Sequence, residues 1–196
     1  MRIIAGQFKG RNLLSPPSGG PTRPITGIVK KSLFDMLAGR LEGAVVLDLY
    51  CGTGTLGLEA LSRGAAQCLF VERDPATVAR LRRNIEAVGA AGRCTVRQVD
   101  VEKHLPGLLK ALAGKVDLAF VDPPYAGARR WDWQAAERAI FQPIALSLSA
   151  DGLVVLRLPA DVSAPQQLGG LQARRTRRYG DMIVTMLAKV PEGEAS

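Results

Sequence analysis

Short apolar runs alternate along this chain with stretches whose apolar side chains recur every three or four positions. The runs Ala44–Leu49, Leu69–Val71, Val116–Val121 and Gly152–Leu158 are too short for helices and end at glycine, proline or acidic residues, so they predict buried strands. Thr95–Val99 alternates and predicts another. Helical spacing appears between them, in Leu56–Leu61, in Val78, Leu81, Ile85 and Val88, in Leu105, Leu108, Leu109 and Leu112, and in Ala135, Ala136, Ala139 and Ile140. An earlier helix is predicted from Thr26 through Leu33 and Leu37, ending at Gly39 or Gly43. Near the end, Leu171–Tyr179 and Met182–Ala188 flank Gly180-Asp181, which is a hairpin signal. The expected class is α/β: a mostly parallel sheet with helices on both faces and an antiparallel hairpin at one edge.

Residues 1–11 alternate around two glycines and predict a short strand or hairpin, followed by a proline- and glycine-rich connector from Ser15 to Pro21. The expected organisation is a basic extension over residues 1–25, one domain over 26–190 and a disordered tail over 191–196. No run approaches the roughly 18 apolar residues of a membrane span, and no signal-peptide core opens the chain, so a cytoplasmic protein is expected. Three cysteines, Cys51, Cys68 and Cys94, lie in or beside apolar segments and read as reduced, buried thiols. A single histidine, His104, gives no cluster for a metal. The net charge of +8 points to a polyanionic partner, most simply nucleic acid.

The chemistry concentrates at Asp122-Pro123-Pro124-Tyr125. Two prolines cannot continue the strand before them, so it stops at Asp122 and a rigid turn begins. That turn fixes the Asp122 carboxylate, the Pro123 carbonyl and the Tyr125 ring relative to one another. Two acceptors and an aromatic face suit a planar group carrying an NH2: accepting both hydrogens draws the nitrogen lone pair out of conjugation while the ring stacks.

A second stretch, Asp48 to Leu61, reads as strand, glycine turn and helix. Gly52, Gly54 and Gly57 match the dinucleotide fingerprint, with Glu72 twenty positions after Gly52, so a nicotinamide enzyme is one reading. Asp48 argues against it, because a carboxylate there suits an ammonium group and not a pyrophosphate. Glu72 closes the next strand, where a carboxylate can take both ribose hydroxyls. Asp100 ends the third strand and can also cap the following helix. Basic residues Arg2, Lys9, Arg11, Arg23, Lys30 and Lys31 suggest an arm that grips phosphates, or a solvated face. Arg129 and Arg130 beside Trp131 and Trp133 suggest a phosphate clamp with a stacking ring, or aromatic anchors for the next helix. Arg174, Arg175, Arg177 and Arg178 fit nucleic-acid binding or protection of an edge strand.

Taken together, these motifs resemble the ribosomal small-subunit methyltransferase D family, the 16S rRNA (guanine-N(2))-methyltransferases. The resemblance runs through Arg2-Ile3-Ile4-Ala5-Gly6, Lys9-Gly10-Arg11, Arg23-Pro24, Leu33-Phe34-Asp35-Met36-Leu37, Leu47–Gly54, Val71-Glu72-Arg73-Asp74, Asp122-Pro123-Pro124-Tyr125 and Tyr179-Gly180-Asp181. It departs from the family pattern over Ile25–Ser32. The resemblance implies a Rossmann-like class I fold with seven strands and S-adenosylmethionine as cofactor. It places Asp48 and the turn Gly52, Thr53 and Gly54 around the methionine moiety, Glu72 at the ribose and Asp100 with the Val101 backbone at the adenine, and it counts Tyr50, Arg73 and Asp122 among the cofactor-binding residues. It also implies a monomer acting, without metal, on 16S rRNA or the assembling small subunit. Methylation of a DNA adenine or cytosine amine, or of a small molecule, is the alternative, and a silent RNA-binding module is a further one.

Overall fold

The computed structural model describes residues 1–16 and 25–190. Arg23, most of the proline-rich connector and the tail expected to be disordered lie outside the described residues. In chain order the elements are α1 (Gly27–Met36), β1 (Val45–Leu49), α2 (Thr55–Ser62), β2 (Gln67–Glu72), α3 (Pro75–Val88), β3 (Cys94–Gln98), α4 (Val101–Leu109) and β4 (Val116–Val121). Then follow α5 (Tyr125–Ala128), α6 (Trp133–Ala136), α7 (Gln142–Ser147), β5 (Leu148–Pro159), β6 (Gln167–Leu168), β7 (Leu171–Tyr179) and β8 (Met182–Lys189). Side chains at Thr26, Asp74 and Asp100 cap α1, α3 and α4 by accepting backbone N–H groups that the helices leave unpaired.

One sheet of eight strands runs in the order β3-β2-β1-β4-β5-β8-β7-β6. The first five are mutually parallel, and β8, β7 and β6 continue antiparallel. Seven strands were expected. The extra one, β6, is two residues turning through Gly169-Gly170 onto Leu171-Gln172, too short to show any period in sequence.

Alternation along the strands feeds two cores. One face packs Leu33, Phe34, Leu58, Leu61, Leu81 and Phe120 with α1, α2 and α3; the other packs Leu105, Phe141, Ile144, Val121 and Leu156 with α4 to α7. The chain leaves β1 for β2 on one side while β4 pairs on the other, so a crevice opens beyond the C-terminal ends of β1 and β4. That is where open α/β sheets bind ligands.

Residues 1–16 are neither strand pair nor loose arm. They make an irregular hairpin with one isolated bridge, Arg2 to Asn12, docked on α2 and α3. Glu59, fully buried, accepts from the backbone N–H groups of Ile4 and Ala5 at 2.8 and 3.0 Å and pairs with Lys30 and Arg63, each at 2.9 Å. Asn84 holds both backbone groups of Leu14 and the Thr53 carbonyl. Among the described residues no helix is long and apolar enough to cross a membrane.

Candidate functional site

Asp48, only 1% exposed, stands near the end of β1. Its Oδ2 accepts from the Gly57 N–H at 2.9 Å, so the carboxylate braces the start of α2, while Oδ1 is buried with no partner among the described residues. Burial pushes its carboxyl well above the usual range, the Gly57 bond opposes this, and the charges of Asp122 and Glu72 add to the rise. Three carboxylates therefore converge on the glycine turn, a field that favours a cation and opposes a pyrophosphate.

The turn itself is built by its glycines. Gly54 and Gly57 close it against the core: a Cβ at Gly54 would lie 2.4 Å from Leu81, and one at Gly57 2.4 Å from Phe70. Gly52, at φ +55°, has nothing within 4 Å of where its Cβ would be, so its free side faces open space. Glu72 spans the turn, Oε2 accepting from Gly52 at 3.1 Å and Oε1 from Arg73 and Asp74 at 2.8 and 2.9 Å. A carboxylate has about four lone-pair sites, so capacity for one further donor remains. Arg73 reaches Asp100 at 3.5 Å, and Asp100 caps α4 through Lys103 while the Val101 side chain is buried beneath.

Tyr50 is the one non-glycine described residue with positive φ, +55°. Its hydroxyl donates to Glu102 at 3.3 Å, and its ring lies 6.4 Å from Trp131. Trp131 donates to the same carboxylate at 3.0 Å and packs edge-on against Trp133 and Phe141. These contacts anchor the half-exposed Trp131 ring to α4 and to the core.

At the end of β4 the Asp122 N–H reaches back to the Leu49 carbonyl at 3.4 Å, and the turn starts as expected. The residue that sequence reasoning missed is Arg157 on β5. Its Nε donates to Asp122 Oδ1 at 2.6 Å, its guanidinium lies 5.8 Å from the Tyr125 ring centre, and only 7% of it is exposed. Burial pushes the Asp122 carboxyl up, and Arg157 opposes that rise. Tyr50, Gly52, Thr53, Asp122, Pro123, Pro124, Tyr125 and Arg157 line one crevice together with Met1, Pro16 and Ile25.

The expected RNA contacts separate. Arg2, Lys9, Arg11 and Arg130 are exposed, Arg2 bonding the Gly10 carbonyl and Arg130 that of Ala126. Arg129 is held by Asp161 through two bonds, 2.8 and 3.2 Å. Lys30 corrects the phosphate-grip reading: it is 3% exposed and buried on Glu59 and the Arg2 carbonyl. Of the three cysteines, all free, Cys51 and Cys68 are buried and Cys94 is half-buried.

With this geometry in place, the relatives are informative. A family model described as conserved hypothetical protein 95 matches residues 1–188. YlbH of Bacillus subtilis, provisionally named an rRNA methyltransferase, is 34% identical over 180 residues, covering 92% of this chain and 94% of that protein. The chain belongs to the ribosomal small-subunit methyltransferase D family. The Escherichia coli K12 protein named ribosomal RNA small subunit methyltransferase D is 39% identical over 125 residues, 64% of this chain and 60% of its own length. A hypothetical protein of Thermus thermophilus superposes with a TM-score of 0.78 at 32% identity, over 97% of this chain and 99% of that one. The family is one of class I methyltransferases, and its methyl donor is S-adenosylmethionine. The residues present fit that group: an unpartnered buried carboxylate oxygen, an acidic field and an open glycine face suit a ligand with an ammonium and a sulfonium.

Proposed function

We propose that this protein transfers a methyl group from S-adenosylmethionine to the exocyclic N2 amine of a guanine in 16S rRNA, free or in the assembling small subunit. The observation that carries the reading is the Asp122 turn, rigid, clamped by Arg157 and opening on the same crevice as the glycine turn.

Bound there, the cofactor supplies an electrophilic methyl on a sulfonium. Asp48 and the turn from Tyr50 through Gly52, Thr53 and Gly54 hold its methionine end. Glu72 takes the ribose, and Asp100, steadied by Arg73, faces the adenine with the Val101 backbone. Arg157 engages Asp122 Oδ1, and in this reading the second oxygen meets the substrate. That oxygen and the Pro123 carbonyl accept the two amino hydrogens, and Tyr125 stacks on the flipped base. The nitrogen lone pair is thereby freed for in-line attack, so the rate gain is mainly one of orientation. The proton released afterwards passes to Asp122 or to water. Arg2, Lys9, Arg11 and Arg130 meet phosphates around the crevice, and Arg23 is assigned the same role.

The test is transfer from labelled S-adenosylmethionine to naked small-subunit rRNA, to particles lacking their methyl marks and to duplex DNA, followed by nucleoside analysis. N(2)-methylguanosine in rRNA or particles is the expected product; methylated adenine or cytosine in DNA would overturn the substrate. Asp122→Ala should lower kcat by about 10²-fold or more with little change in cofactor affinity, because it removes positioning and not the cofactor cradle.

A further inference from the structure

Two strands beyond β5 in the sheet, β7 displays Arg174, Arg175, Arg177 and Arg178, all exposed. Among the described residues none of the four pairs with a carboxylate; Arg174 bonds the Lys189 carbonyl and Arg178 that of Gly180, both at 3.2 Å. The only described strand on the outer side of β7 is β6, which pairs with Leu171 and Gln172 alone.

Register decides where these arginines stand. Arg157 pairs with Val184 of β8, and Val184 pairs with Arg177. Directly opposed residues of antiparallel strands project to the same face. Arg177 therefore continues the row and the face of the crevice arginine, two strand spacings or about 10 Å away. Arg175, opposite Met186, shares that face. At the end of β7 the Tyr179 hydroxyl meets Ser32 of α1 at 2.7 Å, and α1 begins just after Ile25, which lines the crevice.

Edge protection accounts for charge here but not for the residue type. Lysine serves that purpose well, whereas all four are arginine, whose planar fork binds phosphate through two bonds and stacks on bases. We propose that Arg175 and Arg177 form a phosphate-gripping ridge for the RNA strand that enters the Asp122 crevice, holding nucleotides that flank the target base. This rests on the rRNA reading above and extends the contact surface to the side of the crevice opposite the N-terminal arm.

The experiment compares wild type, R175Q/R177Q and R175K/R177K in equilibrium binding and methyl transfer on small-subunit rRNA and on particles lacking methyl marks, over a range of salt. For the glutamine pair, KM and Kd for RNA should rise about tenfold, and the slope of log affinity against log salt should shrink by roughly 1.4, two single-strand phosphates' worth. The kcat at saturating RNA and the affinity for S-adenosylmethionine should stay unchanged. The lysine pair should keep the wild-type slope. Unchanged RNA affinity in the glutamine pair, with or without aggregation, would overturn the ridge and leave edge protection. A lysine pair that loses the slope as well would trace the effect to packing of β7 and overturn it too. Wild-type protein that neither binds nor methylates rRNA would remove the rRNA reading itself, a result visible before any variant is made.

Discussion

Arg157 Nε and Asp122 Oδ1 lie 2.6 Å apart, joining the ends of β5 and β4 over the floor of the crevice. The arginine opposes the upward push of burial on the Asp122 carboxyl and so favours the charged form that accepts hydrogen bonds from an amine. Removing the arginine takes away the group that opposes the upward push of burial.

Arg157→Met should therefore lower kcat/KM at neutral pH on the order of 10²-fold and move the acidic limb of the pH–rate profile to higher pH. Asp48 on β1 feels the Asp122 charge in turn, so the two carboxyls face one another across the crevice floor. Arg157→Lys should restore part of the rate and most of the limb. An unmoved limb in Arg157→Met would show that the pair does not tune Asp122.

Asp48→Asn is expected to exchange cofactor binding for stability. The Asp48 carboxyl is raised above its ordinary 3.8, so its contribution to folding is full below the unfolded value and is lost as pH rises through the folded one. Unliganded Asp48→Asn should thus melt higher than wild type at pH 7 to 8, with the gap closing towards about pH 4. Its affinity for S-adenosylmethionine should fall about tenfold or more, for want of a charged acceptor. Melting curves and calorimetric titration across that pH range test both halves.

The two glycines that frame the turn should fail differently. Gly57→Ala forces a methyl onto Phe70 and Cys68, which lie 2.4 and 2.7 Å from the ideal Cβ, and should cost about 1–3 kcal/mol of stability. Gly52→Ala meets no protein atom within 4 Å, so beyond about 1–2 kcal/mol of backbone strain its effect should fall on cofactor affinity. Denaturant titration against cofactor titration separates the two.

Glu59→Ala would leave Lys30 buried without its counter-charge and strip the acceptor from Ile4 and Ala5. A loss of about 3–5 kcal/mol is expected, with faster hydrogen exchange at those two amides. Stability within about 1 kcal/mol of wild type would show that the pair adds little to the fold.

Much of this architecture was legible in the sequence because it is local. The strand periods, the capping residue Asp100, the glycine turn and the proline-enforced stop after Asp122 each declare themselves within a few residues. What escaped depends on partners far along the chain. Arg157 sits in an apolar run and looks like one outward position of a strand; its meaning comes from the register that sets Val121 against Leu156 and so brings it to Asp122. Lys30 reads as a surface cation until Glu59, on another helix, draws it inside. Asn84 showed no pattern at all, since its three bonds go to backbone groups of Leu14 and Thr53.

The docked hairpin at residues 1–16 also sets an order of assembly during synthesis. Its anchors are Glu59, Ser62 and Asn84, between 54 and 70 residues further on. At about 5–20 residues per second, this segment waits several seconds after its own synthesis for its seat to follow it. Ile3 and Leu13 stay uncovered meanwhile, so the hairpin settles only once α3 has formed, although it is made before it.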